Sequence, residues 1–321
     1  HTSSVSAFLL NRSSDLLSYA NGVKELTIAS LLLASRKVVD GIAWANGLTE
    51  NVAKQVEKGK SAFAGTEIQG KTLGVIGLGA IGGLVANAAK SLGMNVLGCD
   101  NYLTVEAAWH LSRSITKASS DEEVFAKADY ITLHVPSTEK TRGMINKDTI
   151  AKMKDGVKII NLSRADLVNS ADIKEAIESG KVSCYVTDFP TEETINVPGI
   201  ITTPHLGAST AESEDNCAVM AAHQIEDFLL NGNVKNSVNY PDVEMARSEG
   251  GRLLVLHKNL PNILTAITGR ISDYGINIEH MANRSKGDYA CTLVDTLSHL
   301  DDEIIEKISQ GENIIRVIKF D

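Results

Sequence analysis

Short apolar runs alternate with helix-like stretches through the middle of the chain. Residues 72–76, 95–99, 130–134, 157–162 and 182–187 are strand-length runs dominated by apolar residues. Between them, 81–92, 121–126, 147–153 and 171–179 read as helical segments. Strand and helix in alternation predict an α/β fold, a Rossmann-like doubly wound parallel sheet with helices on both faces. Ahead of it, the apolar positions of residues 23–44 predict one long, mostly buried helix, and the polar stretch 49–60 continues as helix or loop. Residues 7–10 read as a single strand. After the sheet, 210–231 predicts a long helix with Ser209 or Thr210 as N-cap and Gly232 as its stop. Residues 236–251 carry Pro241, charges and paired glycines, which suits a linker. Beyond lie strand 252–257, helix 262–274, strands 277–283 and 289–296, helix 301–309 and strand 314–320. That βαββαβ order predicts a ferredoxin-like module.

In parallel sheets, ligands lie at the carboxyl ends of the strands. The first strand runs straight into Gly77-x-Gly79-x-x-Gly82 and a helix. The first glycine allows the tight turn, the second lets backbone approach a diphosphate, and the third lets helix pack on strand. The diphosphate would rest on the N–H groups around Ala80 and Ile81, at the positive end of the helix dipole. The second strand ends in Asp100, placed to hold ribose hydroxyls. An acid there repels the extra phosphate of NADP, so the motif predicts NAD. His134, Ser163 and Asp188 each fall just past a strand end, in one crevice.

Composition narrows the classes. A chain of 321 residues, 43% hydrophobic, can bury more than one core. Its net charge of −9 argues against nucleic-acid and anionic-membrane partners, which attract basic surfaces. Cys99, Cys184, Cys217 and Cys291 lie far apart, without a C-x-x-C pair, and read as reduced thiols, neither staples nor metal ligands. No apolar run approaches the roughly 20 residues of a membrane helix. The default expectation is a soluble cytoplasmic protein.

Three further strings carry chemistry. Asn161-Leu-Ser-Arg164 places a guanidinium after a buried strand. Asp188-Phe-Pro-Thr-Glu192-Glu193 places carboxylates after the next, and Pro204-His205 sets an imidazole before the long helix. Taken singly, Arg164 reads equally as a surface ion-pair partner and His205 as a loop histidine. Together with Leu133-His134-Val135-Pro136 and the string Pro204-His-Leu-Gly-Ala-Ser-Thr210, they resemble the D-2-hydroxyacid dehydrogenases. The match is to their phosphoglycerate-oxidising branch, and it covers nearly all of the chain from Ala20 onward. The resemblance implies NAD-dependent oxidation of D-3-phosphoglycerate to 3-phosphohydroxypyruvate, the first step of L-serine synthesis. It also implies roles: Arg164 orients and polarises the substrate, His205 is the acid/base, and a carboxylate partners His205. Imidazole titrates near neutrality, and a guanidinium offers paired donors. The chain is one residue short between Asp188 and the family's acidic position; matching the string selects Glu192, while counting from Asp188 selects Glu193. Asp188 resembles the residue contacting the nicotinamide amide, and His134, Pro136, Asn161 and Ser163 would line the crevice.

The C-terminal module resembles an ACT domain, an amino-acid-binding unit. His257, Asn259 and Asn277 match the positions at which serine-inhibited relatives bind their effector, implying L-serine as a ligand. At the start, Arg12 resembles an arginine facing the substrate phosphate, and Lys60 a lysine reaching it; Lys60 reads equally as a solvated surface lysine. Most of the family's substrate lobe, including the loop that holds the substrate carboxylate, is missing before residue 20. The expected organisation is therefore substrate-domain portions at 1–19 and 207–245, an NAD-binding domain at 20–206 and an ACT domain at 250–321. A homodimer or homotetramer is implied. Dehydrogenation of another 2-hydroxy acid (2-hydroxyglutarate, glycerate or lactate) and an NAD-sensing scaffold, as in transcriptional co-repressors, stand as alternatives.

Overall fold

The computed structural model describes residues 19–320. Two compact units divide the described chain between Ser213 and Glu214. In the first, seven parallel strands lie in the order β3-β2-β1-β4-β5-β6-β7. They are β1 (Thr72–Ile76), β2 (Asn95–Cys99), β3 (Thr116–Lys117), β4 (Tyr130–Leu133), β5 (Val157–Asn161), β6 (Val182–Thr187) and β7 (Ile200–Thr202). Successive residues of a strand face opposite sides. Hence Ile131, Leu133 and Ile159 join one core with helices Asp121–Lys127 and Ser170–Glu178. Leu73, Val75, Tyr130 and Ile160 join a second core with helices Ala20–Arg36 and Ala80–Ser91. Burial on both faces explains why the strands read as apolar runs rather than alternations.

Three expectations are corrected here. The helix expected over 23–44 is two, Ala20–Arg36 and Val38–Asn46, broken at Lys37, whose φ is 48°. The first buries Val23, Leu31, Ala34 and three hydroxyl residues, Thr27, Ser30 and Ser35. Each of those hydroxyls donates to the carbonyl four residues back, so burial leaves none unsatisfied. The second helix buries nothing, although Val38, Val39 and Ile42 lie on it. The sequence reading also passed over β7, three residues long, and β3, two residues long; such runs are too short to show a period.

The second unit contains the antiparallel sheet β11-β8-β10-β9, built from β8 (Gly251–Lys258), β9 (Ile278–Lys286), β10 (Tyr289–Thr296) and β11 (Ile314–Phe320). Helices Ile263–Asp273 and Asp302–Ser309 follow β8 and β10, giving the expected βαββαβ order. Ile263, Ile267, Ile271, Ile304 and Ile308 pack against Leu253 and Val255 on one face. Phe228, Val234, Tyr240 and Val243 pack against Leu254 and Leu256 on the other. The expected linker is therefore part of this core, and residues from Glu214 to 245 belong to the same compact unit as the sheet. Arg252 ties it down. Fully buried, it pairs with buried Asp295 through Nε and Nη2 and donates its other N–H groups to the carbonyls of Asn231, Met245 and Ala246. All five guanidinium donors are used.

Candidate active site

The glycine loop forms as its sequence predicts. Gly77 has φ 89°, and a Cβ there would meet the His134 carbonyl oxygen at 2.4 Å. A Cβ on Gly82 would meet the Gly77 oxygen at 1.9 Å. Gly79 differs: its φ is −67°, and a Cβ there would meet no protein atom within 4 Å. Neither backbone nor packing requires glycine at 79. The missing side chain leaves space over the start of helix Ala80–Ser91. No side chain caps that helix, so N–H groups of its first turn, around Ala80 and Ile81, are left for a ligand or water. Beside the loop, half-buried Asp100 accepts Leu78 N–H at 2.7 Å on Oδ2 and Tyr102 N–H at 2.7 Å on Oδ1. Each oxygen keeps a lone pair for a ribose hydroxyl. The residues present fit a dinucleotide.

Across the crevice, β4, β5, β6 and β7 are neighbours in the sheet, and the loops after them carry the other candidates. After β4, His134 bonds Thr132 Oγ1 through Nε2 at 3.0 Å. Its Nδ1 is buried and without a partner, and burial pushes its pKa down to about 4. Pro136 is exposed in the same loop. After β5, Asn161 is fully buried and folds its loop: Oδ1 accepts from Ser163 N at 3.2 Å, and Nδ2 donates to the Arg164 carbonyl at 2.8 Å. Ser163 donates to the Leu133 carbonyl at 2.6 Å, joining that loop to β4. Arg164 itself is exposed. A second tie runs through Asp166, which accepts Ser137 Oγ at 2.5 Å and Arg142 Nε at 3.2 Å. The Ser137 hydroxyl bond, with the Arg142 charge, holds the Asp166 carboxyl below the ordinary carboxylate range.

After β6, Asp188 is fully buried and accepts three bonds from the loop after β7, from Thr203 Oγ1, Leu206 N and Gly207 N. Within that loop His205 is exposed, and its ring lies 4.9 Å from that of Phe189, centroid to centroid. Glu192 and Glu193 are both exposed on the turn after β6. No hydrogen bond or ion pair among the described residues joins either to His205. The structure thus gathers Arg164, Asp188 and His205 on adjacent loops at the carboxyl ends of β5, β6 and β7, and leaves the imidazole–carboxylate pair open. Thr203 and Asp166 were missed by sequence reasoning; their partners lie 15 to 29 residues away, and no local pattern marks them.

The remaining candidates lie elsewhere. Lys60 is exposed and pairs with Glu57 at 2.5 Å; Arg12 and the strand expected at 7–10 fall outside the described residues. In the second unit, His257 is buried, with Nδ1 bonded to the Lys258 carbonyl and Nε2 to Thr292 Oγ1, both at 2.8 Å. Asn259 is exposed and donates to the Gly287 carbonyl at 3.1 Å. Asn277 precedes β9 at the opposite end of the sheet, where Ile278 pairs with Thr296 and Thr296 with Gly251. Six residue steps along the strand separate Gly251 from His257, about 20 Å at the usual rise. One copy therefore cannot bring Asn259 and Asn277 to one small ligand.

Comparison with known proteins agrees with this geometry. Residues 28–207 match the family described as "D-isomer specific 2-hydroxyacid dehydrogenase, NAD binding domain". A D-3-phosphoglycerate dehydrogenase of Bacillus subtilis is 34% identical over 79% of this chain and 46% of its own length. D-3-phosphoglycerate dehydrogenase 2 of Saccharomyces cerevisiae is 30% identical over 91% of this chain and 65% of its own length. The chain thus spans less than two thirds of either relative. The solved structure of D-lactate dehydrogenase with NAD+ from Lactobacillus jensenii superposes with a TM-score of 0.55 at 25% identity, covering 65% of this chain and 66% of that one. With the matched domain extending over more than half of its residues and the glycine loop, Asp100 and the β5–β7 loops in place, the chain belongs to the D-isomer specific 2-hydroxyacid dehydrogenases.

Proposed function

We propose that this protein oxidises D-3-phosphoglycerate to 3-phosphohydroxypyruvate with NAD, opening L-serine synthesis in the cytoplasm. The observation that carries the reading is the delivery of Arg164 and His205, from the loops after β5 and β7 on either side of β6, to the carboxyl ends of the strands, where the glycine loop after β1 also lies. The N–H groups around Ala80 and Ile81 and the Asp100 carboxylate would hold NAD, which would supply the hydride acceptor for substrate C2. His205 takes the proton of the C2 hydroxyl as that carbon becomes a carbonyl. Arg164 holds the substrate carboxylate and polarises the C2 oxygen through paired N–H donors. Glu192, the closer match to the family string, swings to the His205 ring and favours its protonated form; Glu193 is its competitor on the same turn. The relatives named as phosphoglycerate dehydrogenases support the substrate. Free, buried Cys99, Cys184 and Cys291 suit a reducing compartment.

The second unit is read as an ACT module from its βαββαβ order. L-Serine would be held between two copies, Asn259 of one and Asn277 of the other, since a single copy separates them. A homodimer or homotetramer follows, with Lys60 reaching the substrate phosphate. The test is NADH absorbance on mixing NAD with D-3-phosphoglycerate at alkaline pH. Activity is expected, with a loss of about 10²–10⁴-fold in His205→Asn. Turnover of lactate, glycerate or 2-hydroxyglutarate in place of phosphoglycerate would move the substrate assignment; silence toward every 2-hydroxy acid would favour a scaffold.

A further inference from the structure

The backbone of His205 is left-handed, with φ 56°. A histidine stays there when its surroundings hold it. What holds it is Asp188. The Asp188 carbonyl accepts His205 N–H at 3.1 Å. Its Oδ1 accepts the Thr203 hydroxyl at 2.6 Å and Leu206 N–H at 2.8 Å; its Oδ2 accepts Gly207 N–H at 2.7 Å. A Cβ on Gly207 would sit 3.2 Å from that oxygen, so glycine allows the approach. The bonds straddle His205, one side chain before it and two backbone donors after it. The carboxylate is fully buried, where charge-assisted bonds are strongest. Asp188 N–H in turn donates to the Asn161 carbonyl at 3.2 Å, and Asn161 shapes the Arg164 loop.

We propose that Asp188 and Thr203 form a latch that positions His205 for proton transfer, the Asp188 carboxylate holding the loop on both sides of the imidazole. Both are positioning residues, acting through His205, and the inference rests on the function proposed above. The latch fixes the aim of the imidazole toward the substrate oxygen. Displacement of a reacting group by about 1 Å can slow a reaction about a hundredfold without weakening ligand binding. Thr203 supplies the one side-chain donor to the carboxylate among the described residues, so it is the place to open the latch.

The experiment uses the full chain with Thr203→Val, Thr203→Ser and Thr203→Cys. Three quantities are read: kcat against pH, NADH affinity by fluorescence, and amide hydrogen exchange of the 203–209 segment without cofactor. Thr203→Val is expected to lower kcat about ten- to a hundredfold and to displace the acidic limb of its pH profile. Exchange in 203–209 should accelerate, while NADH affinity stays within about twofold. Thr203→Ser restores all three, and Thr203→Cys, a weaker donor of similar size, falls between Ser and Val; should the Val variant not fold, the Ser-to-Cys difference carries the test. Unchanged kcat and exchange in Val and Cys would overturn the latch. So would NADH affinity falling in step with kcat, which would put the effect of Thr203 on cofactor binding and not on the aim of His205. A wild-type protein that binds NADH yet turns over no 2-hydroxy acid sinks the functional reading, while the exchange comparison still decides the latch.

Discussion

At the scale of single residues, the crevice is lined by polar groups whose partners were chosen by the fold. His134 is the clearest. Its Nδ1 has neither solvent nor partner, and burial holds its pKa near 4, against about 6.5 in an unfolded chain. Between those values the unfolded state binds a proton that the folded state refuses. Stability therefore falls as pH drops from about 6.5 to 4 and levels off below. His134→Gln, which keeps a donor for Thr132, should flatten that part of a plot of urea midpoint against pH; an unchanged slope would show that other groups cause it. Such residues were legible in the sequence only as positions. His134, Ser163 and Asp188 were read as sharing one crevice because each falls just past a strand end, and Asn161 was placed there through the family resemblance. Their bonding could not be read, because it depends on which loops become neighbours. Asn161 spends its amide on the Arg164 loop and Asp188 its carboxylate on the His205 loop.

At the scale of elements, the glycine loop separates two reasons for one residue type. An alanine at 82 drives a Cβ into the Gly77 carbonyl and should cost about 1–3 kcal/mol through forced backbone shifts. An alanine at 79 meets open space. Gly79→Ala should keep the wild-type melting temperature yet weaken NADH binding, whereas Gly82→Ala lowers both; calorimetry on each variant, with a cofactor titration, distinguishes them. Equal affinity in Gly79→Ala would mean that no ligand approaches there. This loop was legible because its constraints are local. The strands β1, β2, β4, β5 and β6 and the whole βαββαβ module were legible for the same reason, since period and breakers mark them within a few residues. The packing of 234–245 was not. Its Pro, charges and glycines look like a linker, and what buries Tyr240 and Val243 is a sheet that comes later in the chain. The Arg252–Asp295 pair spans 43 residues. Arg252→Met would leave Asp295 buried and uncompensated, a loss of about 3–5 kcal/mol. Amide exchange in β8 and β10 should rise accordingly, with the parallel sheet unaffected; protection unchanged in β10 would show the pair to be dispensable.

At the scale of the whole molecule, the distribution of burial singles out one stretch as the candidate interface of the proposed homo-oligomer. No residue from Arg36 to Lys71 is buried, although two helices cross that stretch. Val38 is 39% exposed, Val39 42%, Ile42 56% and Val52 48%. The helices are held locally, with the Trp44 and Phe63 rings 5.2 Å apart. A helix that places its apolar residues in water gains little from folding alone and leaves apolar surface of the kind that marks an interface. The net charge of −9 keeps copies apart elsewhere, so association should depend on this apolar stretch. Ile42→Asp adds one more negative charge at its centre, where desolvation in an interface makes a lone carboxylate costly. Sedimentation of the wild type should show a dimer or a multiple of it, and Ile42→Asp should shift the species toward monomer at equal concentration. Circular dichroism should stay unchanged, because the side chain it replaces is half in water already. If the variant sediments as the wild type does, the stretch is not an interface between copies.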